Sequence, residues 1–195
     1  REIVFAENGT DLTLGDSAFD GCTALRTITL PAYISEISSG VFTGCSNLEG
    51  VEVSPDNPDY ADVNGVLFNK DCTELLFYSA AMPAEYELPE TVTTIGASVF
   101  AGNKNLRKIT IGKNVASIGA YAFSKCINLS QVVFKEGGTE PLMFGRNVFE
   151  YCDSLTEFTF PDRAAATSSY MFAWAEGLER VTLGADTKTL ASYTF

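Results

Sequence analysis

Hydrophobic positions recur in the same order from one end of the chain to the other. The unit has an apolar residue, phenylalanine five positions later, a small residue after three more, leucine after another three, and then two apolar residues that are two apart. Residues 118–134, IGAYAFSKCINLSQVVF, contain one complete unit. The phenylalanines at this position are Phe19, Phe42, Phe100, Phe123, Phe149, Phe172 and Phe195. Most of their intervals are 23 residues, which identifies an internal repeat.

Two kinds of local structure are expected within a unit. The last two apolar positions alternate with polar ones, which predicts a short strand with one buried face. The segment around the phenylalanine is too short for an independent helix, so we expect a helical or 3₁₀ turn held by packing. One unit cannot bury its apolar side chains alone, whereas stacked units cover each other. The sequence therefore predicts a solenoid of stacked parallel strands.

An interval of 58 residues between Phe42 and Phe100 interrupts the repeat. Residues 54–65, SPDNPDYADVNG, are rich in Pro, Asp and Asn and are expected to form a loop. The segments VLF and ELLFY that follow flank NKDCT, which favours a β-hairpin. We interpret residues 54–90 as a hairpin insertion or degenerate repeat within a single domain of residues 1–195. Neither end has the polar cap of a complete solenoid, so we expect a fragment of a longer array.

The aligned units resemble the BspA-like leucine-rich repeats, the 23-residue class of bacterial surface proteins. The family pattern CxxLxxIxLPxxVxxIGxxAF is matched by CTALRTITLPAYISEISSGVF at 22–42, and its second half by TVTTIGASVF at 91–100 and NVASIGAYAF at 114–123. The insertion DNPDYADVNGVLFNKDCTELLFY is similar to a segment that recurs in the family. Asn103 and Ala175 depart from the cysteine position, and Thr167 departs from the first apolar position.

This resemblance implies a leucine-rich repeat solenoid on a secreted or cell-surface microbial protein. It implies protein binding or adhesion, and no catalytic residue can be carried over from it. We therefore expect a non-catalytic extracellular module whose partner is a protein, such as a host extracellular protein, or a glycan. The alternative is a structural spacer that carries a functional domain outside these residues.

Charge and composition restrict the other functions. The net charge is −12 and basic residues are scattered, so nucleic acid or an anionic membrane would be repelled. The chain has no histidine, which removes Ser/His and Cys/His nucleophilic pairs and the commonest zinc ligand. No apolar run approaches the ~20 residues of a membrane helix. We expect a monomer that is not an enzyme, with no cofactor and no metal; a carboxylate pair on the strand face is the enzymatic alternative.

The cysteines and an aspartate cluster have simpler interpretations than metal sites. Four cysteines, Cys22, Cys45, Cys126 and Cys152, share one repeat position, so we predict small buried side chains with free thiols. The cluster Asp56, Asp59 and Asp62 could suggest calcium. However, Pro58 and Tyr60 interrupt the alternation of oxygen ligands, which favours a solvated turn.

Two candidate binding surfaces follow from the repeat. Strand residues between the buried ones face solvent and form rows along the stack. Those proposed to bind a partner are Thr27, Thr29, Glu52, Lys108, Thr110, Gln131, Glu157, Thr159, Arg180 and Thr182. Strand propensity accounts equally well for the threonines, so both interpretations stay open. Trp174, near Tyr170, is a candidate aromatic spot, with packing at the core or an edge as the alternative.

Overall fold

Each repeat forms one coil of a solenoid, and each coil has three sides. The fold was obtained as a computed structural model, which describes residues 2–7 and 9–195. The first strand side holds the strand predicted from the alternating apolar pair. The second strand side holds a further, shorter strand of each repeat. The turn side holds the phenylalanine segment. All strand pairs between repeats are parallel. The predicted leucine-rich repeat solenoid is confirmed.

The strands fall into three sets. The first strand side contains β1 (Glu2–Ile3), β3 (Thr27–Leu30), β5 (Gly50–Val53), β9 (Glu85–Glu87), β11 (Lys108–Ile111), β13 (Gln131–Phe134), β15 (Glu157–Thr159) and β16 (Arg180–Thr182). The second strand side contains β2 (Leu12–Leu14), β4 (Ile34–Ile37), β10 (Thr94–Ile95), β12 (Ser117–Ile118) and β14 (Met143–Phe144). The insertion contains β6 (Tyr60–Val63), β7 (Val66–Asn69) and β8 (Glu74–Phe77).

The first strand side keeps the repeat in register. Ile109 of β11 lies opposite Val132 of β13, and both side chains point inward. Thr110, the residue between two buried isoleucines of β11, lies opposite Val133, which is exposed. Since side chains alternate across a strand, each repeat position faces its own equivalent in the next coil.

The second strand side is a feature that the apolar pattern did not predict. Ile34 and Ile37 both pack on the core although they are three positions apart instead of two, because β4 has one extra residue between the partners of Leu12 and Thr13 in β2. Most of these strands are only two residues long. A strand this short shows no alternation in the sequence.

The turn side contains no helix within the described residues, so the predicted helical or 3₁₀ turn is not confirmed. Residues two before and two after each phenylalanine have positive φ, which interrupts helical bonding twice in five residues. Alternate backbone donors bond to the next coil, and the donors between them bond within the turn, as the Ser124 N–H does to the Tyr121 carbonyl. For example, the Phe123 N–H donates to the Val148 carbonyl at 2.9 Å, and the Lys125 N–H donates to the Glu150 carbonyl at 2.7 Å.

The repeat phenylalanines stack on each other through the interior. The ring centroids are 4.8 Å apart for Phe100 and Phe123, 5.2 Å for Phe123 and Phe149, and 5.6 Å for Phe149 and Phe172, with nearly parallel planes. The repeat spacing thus sets a ring-on-ring contact in every coil, which adds to the burial of apolar surface.

The insertion is built into the stack. β7 and β8 form the predicted antiparallel hairpin, and β8 pairs in parallel with β10, which continues the second strand side. The expectation of a loop over residues 54–65 is partly wrong, since β6 lies within it and pairs with β7. The buried Asn57 connects the insertion to the turn between β3 and β4. Its amide donates to the Pro31 and Ile34 carbonyls, and its Oδ1 accepts from the Asp59 and Tyr60 N–H groups.

The buried apolar residues form two cores that meet at the insertion. One contains the first two repeats together with Leu67, and the other extends from Val66 and Phe68 to Phe172. Leu67 and Phe68 are consecutive, and they point to opposite faces of β7. A cavity of about 140 Å³ lies near this junction, lined by Phe42, Leu67 and Phe77 among others.

Candidate functional site

The predicted strand-face residues fall into three groups on the first strand side. Thr27, Thr29 and Glu52 lie on β3 and β5; Lys108, Thr110 and Gln131 lie on β11 and β13; Glu157, Thr159, Arg180 and Thr182 lie on β15 and β16. All ten side chains are exposed or half-buried.

The insertion separates the first group from the other two. The Val51 N–H donates to the Gly65 carbonyl at 2.9 Å, and the Val53 N–H donates to Asp62 Oδ1 at 2.9 Å. The turn between β6 and β7 therefore occupies the place of the next strand beside β5. The rows of exposed residues resume at β9 and extend along β11 and β13, with β15 next to β13.

Two residues of these rows were missed by the sequence analysis. Glu85 and Glu87 of β9 lie opposite Lys108 and Thr110. A signal was present, because YEL in residues 86–88 precedes a proline as ITLP does in residues 28–31. The insertion had removed the repeat spacing that would have marked it.

Most charged side chains on this face are paired with a neighbouring coil. Lys108 Nζ lies 3.9 Å from Glu85 Oε2, and Arg180 Nη1 lies 3.4 Å from Glu157 Oε1. Lys135 Nζ contacts both Glu87 and Glu90 at 2.6 Å. The hydrogen bond from Lys135 lowers the pKa of Glu90, and the bonds to Glu87 and Glu90 raise the pKa of Lys135.

Beside these pairs lies a row of uncharged side chains. Thr110, Val133, Thr159 and Thr182 occupy the same position of successive strands, and Val133 is 42% exposed. A cleft of about 710 Å³ adjoins this row between residues 132–138 and 159–163. Charge pairing outside the row leaves a β-branched, uncharged strip between the paired charges of the first strand side.

Trp174 is exposed on the turn side and does not pack into the core. It is 56% exposed, and its ring stacks on Tyr151 with 5.2 Å between centroids. Tyr170 stacks in the same manner on Tyr193 at 4.9 Å, whereas Phe172 is buried.

Of the three aspartates considered for calcium, Asp56 and Asp59 are exposed and Asp62 has a structural role. Asp62 accepts hydrogen bonds from the Val53 and Gly65 N–H groups, so its carboxylate fixes the β6–β7 turn. Among residues 2–7 and 9–195, no group of three or more acidic, cysteine or histidine side chains is arranged to hold a metal ion.

The cysteine position is occupied by buried thiols in three coils. Each Sγ donates to the carbonyl of the phenylalanine in an earlier coil: Cys45 to Phe19, Cys126 to Phe100 and Cys152 to Phe123, at 3.0, 3.0 and 3.2 Å. Cys22 at the start of the stack is exposed, so the expectation of burial is wrong there. Asn103 fills the same position and donates to the Ser79 carbonyl.

We expect thiol labelling to discriminate between these cysteines. Burial raises the pKa of Cys45 to about 11 and of Cys126 to about 12, and it raises the pKa of Cys152 strongly. The thiolate is the reactive form. A maleimide at about pH 8 should therefore modify Cys22 in the native protein and leave these three thiols unmodified, as read by peptide mass.

Labelling in denaturant, where all five thiols should react, is the control. Alkaline pH has to be avoided. The thiols of the unfolded chain ionise near their usual pKa of 9.0, whereas the buried thiols of the folded chain have raised pKa values. The free energy of unfolding therefore falls as the pH rises through this range. Rapid native labelling of Cys126 or Cys152 would contradict the packing described here.

No helix in the described part of the chain is long and apolar enough to cross a bilayer.

These features define a leucine-rich repeat solenoid with a strand face and a turn side. A family model for the BspA type leucine-rich repeat region matches residues 2–76 and 70–195 in six copies, and the chain belongs to this family. Among curated protein sequences, none matches the chain.

Solved structures of bacterial proteins share the fold. The pneumococcal vaccine antigen PcpA superimposes with a TM-score of 0.74 at 23% identity, over 88% of this chain and 44% of PcpA. A leucine-rich repeat protein from Eubacterium ventriosum has a TM-score of 0.69 at 26% identity, over 100% of this chain and 57% of that protein. A leucine-rich cell surface protein from Faecalibacterium prausnitzii has a TM-score of 0.68 at 18% identity, over 93% of this chain and 59% of that protein. This chain thus spans about half of their length.

Proposed function

We propose that this chain is a non-catalytic binding module of a secreted or cell-surface protein, and that it holds a protein partner on the first strand side. Membership in the BspA type repeat family supports the proposal that the chain is a binding module. Two similar structures are described as a vaccine antigen and as a cell surface protein, which supports an extracellular location. Adhesion is the role that we propose for a binding module in that location.

The row of uncharged residues on the first strand side carries the proposal. Thr110, Val133, Thr159 and Thr182 stand on rigid strands, so a partner would bind without a large cost for ordering the site. Lys108 and Arg180 are already paired with acids of this chain. An extended, largely neutral segment of a host extracellular protein suits this strip best, and a glycan is the second choice.

A binding screen tests the proposal. The chain is presented to matrix proteins, plasma proteins and glycans, beside a variant with Val133→Lys and Thr159→Lys. Both positions are exposed, so the variant should fold normally while two long charged side chains cover the strip. We expect the affinity for a partner found in the screen to fall at least about tenfold, which corresponds to about 1.4 kcal/mol.

The matched control places the same charges on the second strand side. Thr13→Lys with Met143→Lys uses two exposed positions there and should leave the affinity unchanged. Equal binding by both variants would place the partner elsewhere and contradict the strand-face site. Sedimentation of the unmodified chain should show a monomer.

A structural spacer is the alternative function. In this alternative, residues 1–195, including the insertion at residues 54–90, form one stiff domain that positions a functional domain outside this chain. Absence of any partner in the screen would favour the spacer over the binding module.

A further inference from the structure

A groove on the turn side lies where the insertion joins the repeats, in the middle of the stack. It crosses the coils that contain Phe42, Phe100 and Phe123, with Ala80 of the insertion between the first two. Its volume is about 750 Å³, within the ~300–1,000 Å³ that is typical of ligand sites. We call it the turn-side groove, and its lining includes Thr43, Ser46, Ala80, Ser98, Lys104 and Tyr121.

The insertion forms this groove because its own part of the turn side is short. Leu75 lies opposite Ile95 on the second strand side, and Glu85 lies opposite Lys108 on the first strand side. The chain advances ten residues from 75 to 85, whereas the next coil advances thirteen from 95 to 108. The three missing residues leave the flanking coils uncovered on the turn side, so the groove is a consequence of the fold and does not depend on the conformation of one side chain.

Three cationic side chains surround one part of the groove. Lys104 and Lys125 line it, and Arg146 lies beside Tyr121. None of the three forms an ion pair within residues 2–7 and 9–195. Glu150 is the acid of the lining, and its carboxylate accepts a hydrogen bond from a neighbouring serine hydroxyl at 3.0 Å. A chain of net charge −12 therefore has a locally positive site here, which would attract an anionic ligand.

The Tyr121 ring presents one face to the groove. The Arg146 guanidinium, which belongs to the following coil, lies 5.4 Å from the ring centroid and covers the face on that side. The equivalent residue of the preceding coil is Ser98, which also lines the groove and is too small to cover the other face. The face of an aromatic ring carries partial negative charge, so it attracts polarised C–H groups such as those of a sugar ring.

Hydroxyl groups line the rest of the groove. Thr23, Thr43, Ser46 and Ser98 each contribute one. A hydroxyl can both donate and accept hydrogen bonds. Sugar hydroxyls have the same capacity, so this lining suits a ligand that is rich in hydroxyl groups.

We propose that the turn-side groove binds an acidic glycan. A sugar ring lies on the open face of Tyr121, carboxylates of the sugar bond to Lys104 and Lys125, and the groove hydroxyls bond to those of the sugar. Hydrogen bonds between charged groups are about twice as strong as neutral ones, so the carboxylates provide most of the selectivity. The groove is separate from the uncharged row of the first strand side, so either proposal can fail while the other holds.

Titration calorimetry with oligogalacturonate tests the proposal directly, because each of its sugars carries a carboxylate. Two related probes are measured beside it. The methyl ester of the same oligosaccharide keeps the rings and loses the charge, and a glutamate peptide of equal charge keeps the carboxylates and has no sugar ring. We expect oligogalacturonate to bind at least about tenfold more tightly than either probe.

Ser98→Tyr is the variant that blocks the groove. At the same repeat position of two consecutive coils, Tyr170 and Tyr193 stack face to face at 4.9 Å, and both have positive φ, as Ser98 does. A tyrosine at position 98 should therefore stack on Tyr121 and cover its open face, while the chain folds normally as judged by circular dichroism. We expect the affinity for oligogalacturonate to fall at least about tenfold.

A charge variant tests the lysines and leaves the ring and the groove intact. Lys104→Gln with Lys125→Gln should also weaken binding at least about tenfold, and the binding that remains should depend less on salt. The matched control is Lys113→Gln with Lys188→Gln, which removes two exposed lysines that do not line the groove. This control should bind like the unmodified chain.

The other outcomes would overturn the proposal. They are no binding of oligogalacturonate by the unmodified chain, full affinity in the Ser98→Tyr variant, and equal weakening by the lysine control. Equal affinity for the methyl ester would overturn it in favour of a neutral glycan. Equal affinity for the glutamate peptide would overturn it in favour of an acidic segment of a protein.

Discussion

Phe123→Ala should lower the free energy of unfolding by about 4–5 kcal/mol, one of the largest losses from a single truncation in this chain. The Phe123 side chain is fully buried, and its ring lies between those of Phe100 and Phe149 at 4.8 and 5.2 Å. Alanine would remove the buried ring, leave a cavity and delete two aromatic contacts at once. Chemical denaturation followed by circular dichroism measures the change.

Phe195→Ala is the matched control, because Phe195 occupies the same repeat position. It is 63% exposed and stacks on one side only, against Phe172 at 5.8 Å. We expect its truncation to lower the free energy of unfolding by at most about 1 kcal/mol. Equal losses in the two variants would mean that interior ring stacking does not hold the coils together.

The stacked coils could be predicted from the sequence because one periodicity specifies them. The spacing of 23 residues brings Phe100 and Phe123 to the same place in consecutive coils, and the alternating pair Ile109 and Ile111 identifies the first strand. The second strand side has no such signal. Ile118 pairs with Ile95 in a strand of only two residues, which is too short to show alternation in the sequence.

The helical or 3₁₀ turn expected for the phenylalanine segment is not confirmed. That expectation was based on the shortness of the segment, which gives no indication of the positive φ that Tyr121 and Lys125 adopt in GAYAFSKC. Hydrogen bonds to the next coil replace those within a helix, and this tertiary effect outweighs local propensity. The Gly residues of other coils at these positions were a usable signal, since Gly40 and Gly44 stand where Tyr121 and Lys125 do, two before and two after the repeat phenylalanine.

The candidate sites were predictable to different extents. The rows of exposed residues on β11 and β13 follow directly from the repeat. The insertion interrupts these rows through the hydrogen bond from the Val51 N–H to the Gly65 carbonyl, and no local sequence pattern predicts that bond. The aromatic pairs could have been found, because Tyr170 and Tyr193 are one repeat apart, as are Tyr151 and Trp174. Trp174 and Tyr170 were predicted as a candidate aromatic spot, whereas their stacking partners Tyr151 and Tyr193 were not.

Two adjacent truncations in the insertion should destabilise opposite parts of the solenoid. Leu67 and Phe68 are both fully buried, and each belongs to a different core. Leu67→Ala should lower the stability of the N-terminal core, and Phe68→Ala that of the C-terminal core, each by about 2–5 kcal/mol. The reason is that consecutive strand residues point to opposite faces, so each truncation leaves its cavity in one core.

Hydrogen exchange resolves the two effects along the chain. Leu67→Ala should speed exchange mainly in β3 and β5, and Phe68→Ala mainly in β9, β10 and β11, because coils in a solenoid are stabilised chiefly by their neighbours. Val63→Ala, at a position 44% exposed on the adjoining strand β6, should change neither region and is the control. Uniform acceleration by both truncations would show that the two cores unfold as one unit. Separate effects would show that the insertion joins two stacks of coils that open independently, so the first strand side on β9, β11, β13, β15 and β16 can hold its geometry while the N-terminal coils open.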